Sequence, residues 1–314
     1  MREFVLEKKS KVFIAGHTGL VGSAFVRLFQ NQGYENLILA THDQLDLTDQ
    51  KKVESFIFET KPDVVIDAAA KVGGIKANSE APADFFYINM QIQQNLIWSS
   101  FKSGVKKLLF LGSACMYPKE SNQPMREEYL LTGLPEITNE GYALAKVCGS
   151  RLCSYLYRQY GVDFICAIPA NAYGIGDNFD LNKSHVIPAL IRRFHEAKLN
   201  NVPSVTIWGT GKALREFIYT DDLADAGLFL LENYSNDAPI NIGTNEEVSM
   251  YELASLIKRV TGYEGEIDTD PSKPDGMPRR LCDSSRLCKL GWKSSVSLEN
   301  GITQLYKWYL DSKQ

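Results

Sequence analysis

The chain lacks an apolar run approaching the ~18 residues of a membrane-spanning helix, and residues 1–9 lack the apolar core of a signal peptide. Its six cysteines, at 115, 148, 153, 166, 282 and 288, form no Cys-x-x-Cys pair. A chain of 314 residues needs no disulfide staples. Histidine is scarce: residues 17, 42, 185 and 195 are too scattered to make a metal site. Excess charge is small, −4, which argues against nucleic acid or an anionic membrane as the main partner, though not against a local basic pocket for a phosphorylated ligand. Repeats and low-complexity tracts are absent. These absences describe a reduced, cytoplasmic protein. Its 44% hydrophobic and 23% charged content is that of a globular protein, with room for one large domain or two coupled ones.

What is present starts near residue 11. Residues 11–15 read as a short buried strand, followed by Gly16-His17-Thr18-Gly19-Leu20-Val21-Gly22 and a helix whose apolar side is Phe25, Val26, Leu28 and Phe29. A strand, a glycine turn and a helix form the phosphate-binding end of a dinucleotide fold: glycines admit the pyrophosphate to the backbone, and the helix N-terminus offers it free N–H groups. The spacing is Gly-x-x-Gly-x-x-Gly rather than the usual Gly-x-Gly-x-x-Gly. A second strand, residues 36–40, ends in Ala40-Thr41-His42. The acidic residue that binds a ribose 2′-hydroxyl in NAD-preferring folds is missing there, which leaves room for the 2′-phosphate of NADPH, yet no arginine stands ready to hold it. Asp46 reads either as a contact to the adenine amino group or, with Asp49, as a cap on the helix that follows. Strands at 62–70, 105–111 and 162–168 alternate with helices at 84–103 and 142–160. This predicts an α/β, Rossmann-like, doubly wound parallel sheet over residues 1–172, with segments near about 216–245 returning to it. Residues 173–314 read mostly as a smaller C-terminal α/β substrate domain. Two partly apolar faces on the 142–160 helix, Leu144/Cys148/Leu152/Tyr155/Leu156 and Val147/Cys153/Tyr157, point to a partner subunit as well as the sheet, or to burial within one chain.

Residues 111–146 carry the chemistry. Tyr142 and Lys146 share a helix face at i, i+4 spacing, where an ammonium should lower the phenol's pKa and ready it for proton transfer. Tyr-x-x-x-Lys recurs at Tyr309 and Lys313, in what reads as a solvated terminal helix, so spacing alone decides little. Ser113, at the end of an apolar strand, adds a second hydroxyl.

The set Gly16, Gly19, Gly22, Ser113, Tyr142 and Lys146 resembles the extended short-chain dehydrogenase/reductase family of nucleotide-sugar enzymes. Gly112-Ser113-Ala114-Cys115-Met116-Tyr117-Pro118-Lys119, Asp177-Asn178-Phe179, residues 184–194, residues 208–217 and 272–280 narrow the likeness over nearly the whole chain to those members that epimerise and then reduce a GDP-linked 4-keto-6-deoxymannose. The resemblance implies an NADPH-dependent enzyme, with NADH possible, that is homodimeric. It implies Tyr142 as proton donor, Lys146 on the nicotinamide ribose, Ser113 on the C4 oxygen, and Cys115 and His185 as base and acid of epimerisation at C3 and C5. It further implies cofactor contacts at Gly16, His17, Thr18, Gly19, Leu20, Val21, Gly22, His42, Asp46, Leu111, Gly112, Lys146, Pro169, Asn171 and His185. GDP-sugar contacts fall at Arg193, Trp208, Arg215, Asp275 and Arg280. Relatives that carry arginines for the 2′-phosphate have them where this chain has Thr18, Ala40 and His42.

The chemistry asks for such residues independently. Protons on C3 and C5 are acidified by the C4 ketone, and inversion needs two groups titrating near neutrality on opposite faces, which cysteine and histidine supply. Plainer readings exist for each: Cys115 as a small buried residue, His185 as a helix-terminal residue bonded to backbone, Arg193 and Arg215 as salt-bridged surface residues, Trp208 as core. Two other functions fit parts of the pattern. One is a nucleotide-sugar 4-epimerase that retains NAD, which has no use for a Cys/His pair. The other is a non-catalytic cofactor-sensing module, which has no use for Tyr142 and Lys146.

Overall fold

The computed structural model describes residues 4–181, 184–273 and 275–312. Pro274 and Lys313, singled out above, lie outside them.

The first half alternates strand and helix: β1 (Lys11–Ala15), α1 (Leu20–Asn31), β2 (Asn36–Ile38), α2 (Gln50–Thr60), β3 (Val64–Asp67), α3 (Ile75–Glu80), α4 (Pro82–Lys102), β4 (Lys107–Leu111), α5 (Glu140–Tyr160) and β5 (Asp163–Pro169). Then come β6 (Asn171–Tyr173), α6 (Val186–Leu199), β7 (Ser204–Trp208), β8 (Leu214–Arg215), β9 (Phe217–Tyr219), α7 (Thr220–Asn233) and β10 (Ile240–Ile242). The chain finishes with β11 (Val248–Ser249), α8 (Met250–Thr261), β12 (Glu266–Asp270), β13 (Arg279–Arg280), α9 (Ser285–Leu290) and α10 (Leu298–Asp311). The main sheet has six parallel strands in the order β10-β5-β4-β3-β1-β2, so the chain winds outward from β1 in both directions. β10 brings a late segment back to this sheet.

Side chains of a strand alternate between faces, and β1 sorts accordingly. Val12 and Ile14 pack with Phe25 and Phe29 of α1 and Leu223 and Leu231 of α7. Phe13 and Ala15 pack with Val53 and Ile57 of α2, Ile92 and Leu96 of α4, and Val147 and Leu156 of α5. Both faces are covered, which is why the strands read as nearly unbroken apolar runs. A third core, built from α6, β7, α8 and α10, joins Ile191, Phe194, Ile207, Ile257, Ile302 and Leu305. Tyr309 belongs to it and is only 2% exposed. The terminal helix is thus not the solvated one its sequence implies, because its tyrosines turn inward against Phe179 and His195.

Several boundaries differ from expectation: the strand read over 62–70 is only Val64–Asp67, and α5 starts at Glu140. β2 stops at Ile38, and residues 39–40 run on outside the sheet. Helix α6 starts at Val186, with His185 at its N-cap and Pro188 in its first turn, where proline's missing N–H is tolerated. Asp49 caps α2 by accepting from Lys52 N. In α5 the buried face is Ala145, Lys146, Val147, Ser150, Cys153 and Leu156, while Cys148 and Tyr155 remain exposed.

Buried polar groups tie β10 to the segment after β4. Asn241 receives the Tyr117 hydroxyl at 2.6 Å, donates Nδ2 to Met125 O and Asp283 O at 2.9 and 3.1 Å, and gives its backbone N–H to Glu127 Oε1 at 3.0 Å. Replacing Asn241 by Ala strands several buried partners at once, so it should lower stability by about 1–3 kcal/mol in urea unfolding. A loss within the noise of a surface substitution would show that the network is dispensable.

Candidate active site

At the carboxyl end of the sheet β1 leads into Gly16, whose φ is +77°. A Cβ here would sit 2.8 Å from Ala68 O and Ala69 Cα, and one on Gly22 would sit 2.1 Å from Gly16 O. The turn is therefore closed to side chains by the neighbouring strand end and by its own helix. Gly19 at the N-cap of α1 brings no side chain to the first-turn N–H groups, which are left for an anion. His17 adds a buried Nδ1 without a hydrogen-bond partner. This cradle fits a dinucleotide pyrophosphate, with Thr18, Leu20 and Val21 on its lip. Leu111 and Gly112 at the end of β4, Pro169 at the end of β5 and Asn171 in β6 border the same crevice. Asn171 is anchored by Nδ2 to Glu216 O at 2.7 Å.

Asp46 does not cap a helix. Its Oδ1 takes the N–H and hydroxyl of Thr48, at 2.9 and 2.7 Å, and with nearby His42 these contacts hold its pKa low. It stands as a small acidic rim by β2.

Ser113, Cys115, Tyr142 and Lys146 come together. β4 exits into a single turn, Ala114–Met116, which Ser113 caps by accepting from Cys115 N at 3.2 Å. The Ser113 hydroxyl lies beside the Tyr142 phenol. One turn further along α5, Lys146 is buried, donates Nζ to Leu111 O at 2.9 Å and lies 4.6 Å above the Phe110 ring.

The proton states differ from the expected ones. Lys146 does not pull the Tyr142 pKa down. Desolvation raises it, with Cys115 and Asp67 adding to the rise and Ser113 opposing it. The phenol thus stays protonated across the physiological range. Burial pushes Lys146 down instead, opposed by Asp67 and Cys166. Asp67 was not anticipated. It ends β3, is fully buried, and pairs in register with Phe110, the ring under Lys146. One oxygen accepts from Ala69 N at 3.2 Å and the other has no hydrogen-bond partner. Burial raises its pKa to about 6 against the pull of Lys146. The one signal in the sequence was an acid closing an apolar run.

The Cys115 sulfur receives Nδ2 of Asn139 at 3.1 Å and Nη1 of Arg280 at 3.5 Å. Asn139 is the N-cap of α5, and its side chain makes no cap bond. Arg280 Nη2 reaches Met277 Sδ at 3.0 Å, and Met277 O accepts from Arg215 at 2.6 Å. Asp275 braces the facing loop by accepting from Thr210 N and Oγ1 at 2.7 and 2.9 Å. Arg193 donates to Thr206 O. The ion pairs of neighbouring arginines fall elsewhere, at Arg192–Glu196 and Arg279–Glu247, whereas Arg193 and Arg215 spend their donors on carbonyls. Burial lowers the pKa of both, and Arg280 lowers that of Arg215 further. Half-buried guanidiniums, with Arg215 only partly offset by the Asp275 carboxylate, suit a diphosphate. Trp208 is 67% exposed and stands near the Lys273 ammonium, so it is not core. His185 makes no cap bond with its side chain. His185 is exposed, yet desolvation by the surrounding chain lowers its pKa, and no contact among the described residues joins it to Cys115.

Residues 12–243 match the model of the NAD dependent epimerase/dehydratase family. The chain belongs to that family. Among its relatives, GDP-L-fucose synthase 1 of Arabidopsis thaliana is 56% identical over 304 residues, 97% of this chain and 94% of that protein. Of solved epimerase/dehydratase-family folds, a GDP-6-OMe-4-keto-L-xylo-heptose reductase from C. jejuni has a TM-score of 0.94 at 38% identity, covering 98% of this chain and 100% of that one. A GDP-L-fucose synthetase from Naegleria fowleri bound to NADP has a TM-score of 0.90 at 26% identity, covering 99% and 97%.

Three buried carboxyls, Asp67 near 6 and Asp177 and Glu216 near 7, titrate above their unfolded values because of burial. The folded state therefore binds these protons more tightly, and the stability they give is lost as pH rises through about 6 to 7. His185, with a lowered pKa, acts in the opposite sense below its unfolded value. The thermal midpoint of the cofactor-free protein should fall from pH 5.5 to pH 8 at constant ionic strength, and Asp177→Asn should flatten the slope. A variant curve parallel to the wild type would remove Asp177 from this account.

Proposed function

We propose that the protein converts GDP-4-keto-6-deoxy-D-mannose to GDP-L-fucose, by epimerisation at C3 and C5 followed by reduction of the C4 ketone. The observation that carries this reading is the meeting of two chemistries in one site: a Ser113–Tyr142 hydroxyl pair with the Cys115 thiol beside it. NADPH, when bound, supplies the hydride for C4. The chain's own residues do the rest. Cys115 takes the proton acidified by the ketone, and His185 returns one to the opposite face. The Ser113 and Tyr142 hydroxyls donate to the C4 oxygen as charge develops on it. Tyr142, held protonated by burial, then protonates that oxygen. Lys146 and Leu111 O fix Tyr142 and the nicotinamide ribose, the Gly16–Gly22 turn holds the pyrophosphate, and Arg193, Arg215, Asp275 and Trp208 hold the GDP end.

The protein works as a cytoplasmic homodimer. Its six cysteines are all free, as a reducing compartment keeps them. Tyr87, Trp98, Tyr155 and Tyr160 are exposed on α4 and α5, which pack together and leave this aromatic face for a second copy.

One second reading has a specific observation behind it. The similar C. jejuni enzyme is named a reductase, and a C4 reductase without epimerisation would use Ser113 and Tyr142 alone. Purified protein given GDP-4-keto-6-deoxy-D-mannose should oxidise NADPH faster than NADH and yield GDP-L-fucose by NMR, with solvent deuterium at C3 and C5. GDP-D-rhamnose without deuterium would establish the reductase. Tyr142→Phe should lower kcat by a factor of about 10² or more. Unchanged turnover in that variant would overturn its role as donor.

A further inference from the structure

We propose that Asn139 and Arg280 are the positioning pair of the epimerisation base: their N–H groups hold the Cys115 sulfur as a thiolate and aim it into the site. This rests on the reading of Cys115 as the base. The amide Nδ2 of Asn139 lies 3.1 Å from Sγ and the guanidinium Nη1 of Arg280 lies 3.5 Å from it. The guanidinium is donor-only and the amide meets the sulfur with its Nδ2 donor, so the sulfur accepts from both, and an anionic sulfur accepts far better than a thiol. Asn139 is also the N-cap of the 21-residue helix α5, whose N-terminal end favours negative charge. A helix N-terminus together with an arginine is the environment that makes cysteines reactive.

The surroundings agree. Tyr142 and Cys282 are further titratable groups coupled to this sulfur, and burial pushes both up, so they stay neutral near pH 7 and Arg280 is the charge the thiolate meets. Both ends of the Arg280 fork are spent on sulfur, Cys115 Sγ and Met277 Sδ, which turns it from the diphosphate toward the reacting carbons. Asn139 Oδ1 is buried with no hydrogen-bond partner. The clamp also spans the molecule, since Asn139 precedes the helix of Tyr142 and Arg280 lies in β13 beside β8.

The test is alkylation of the cofactor-free protein by iodoacetamide at pH 7, with modification of Cys115 and of exposed Cys148 followed separately by peptide mass spectrometry. Asn139→Ala and Arg280→Gln should each slow Cys115 by about tenfold, through loss of thiolate, and leave Cys148 unchanged. Arg280→Lys should restore most of the rate. Asn139→Asp, which keeps the side chain's shape, should slow it at least as much as Asn139→Ala. Deuterium entry at C3 and C5 should fall in step, with the calorimetric affinity for GDP unchanged. Wild-type alkylation in all four variants would overturn the proposal. So would lost GDP affinity with unchanged alkylation, which would make Arg280 a diphosphate ligand. If Cys115→Ser still exchanged C3 and C5 protons normally, the epimerase role of Cys115 would itself fall, a failure distinct from that of the clamp.

Discussion

The site depends on the hydrogen bond from Lys146 Nζ to the Leu111 carbonyl. Leu111 is the last residue of β4, a central strand bonded to β3 and β5, and cannot move without them. Lys146 is buried, so its ammonium has no water to turn to, and leaving it unpaired would cost several kcal/mol. The bond therefore fixes α5 against the exit of β4 in one register. Ser113 and Cys115 come from the strand side of this junction, and Asn139 and Tyr142 from the helix side. The closeness of Ser113 to Tyr142 and the hydrogen bond from Asn139 to Cys115 follow from this register.

Burial sets the proton states along the same junction. Taking charge out of water raises acids and lowers bases, and here it acts on Tyr142, Asp67 and Lys146 together. An ammonium one turn away pulls a phenol down in water-exposed helices. In this interior the desolvation of the phenol wins, and Lys146 divides its field with Asp67 and Cys166. Under the proposed function, the result is a donor that keeps its proton until an oxygen anion takes it, and Lys146 serves by position.

Much of the fold is legible in the sequence because it follows from local rules. A strand covered on both faces reads as an apolar run, and an amphipathic helix reads from its period, so the β1–α1 turn and the β4–α5 segment stand out unaided. The same rules fail where tertiary context decides. Tyr309 reads as exposed because its neighbours Lys307 and Asp311 are charged, yet α10 lays it against α6. Asn139 reads as loop because its side chain's partner, Cys115, lies across a long connection. Trp208 reads equally as core or surface from an apolar strand, and the exposed alternation of β7 settles it. Asp67 was visible only as an acid in the wrong place, and a single sequence does not say which buried base it faces.

The structure divides the chemistry by origin. The hydroxyl pair comes from the sheet and its helix α5. The groups around the sulfur need more: Arg280 arrives from β13, and His185 heads α6 in the lobe of the third core. A chain of the same fold could keep the first set and lose the second, and would then reduce without epimerising. A protein named as a reductase shares this fold at a TM-score of 0.94. On the proposed clamp, the two activities are separated by a handful of donor atoms within about one hydrogen-bond length of a thiol. Such a difference is invisible to backbone comparison, and the contacts of Cys115 are where it has to be sought.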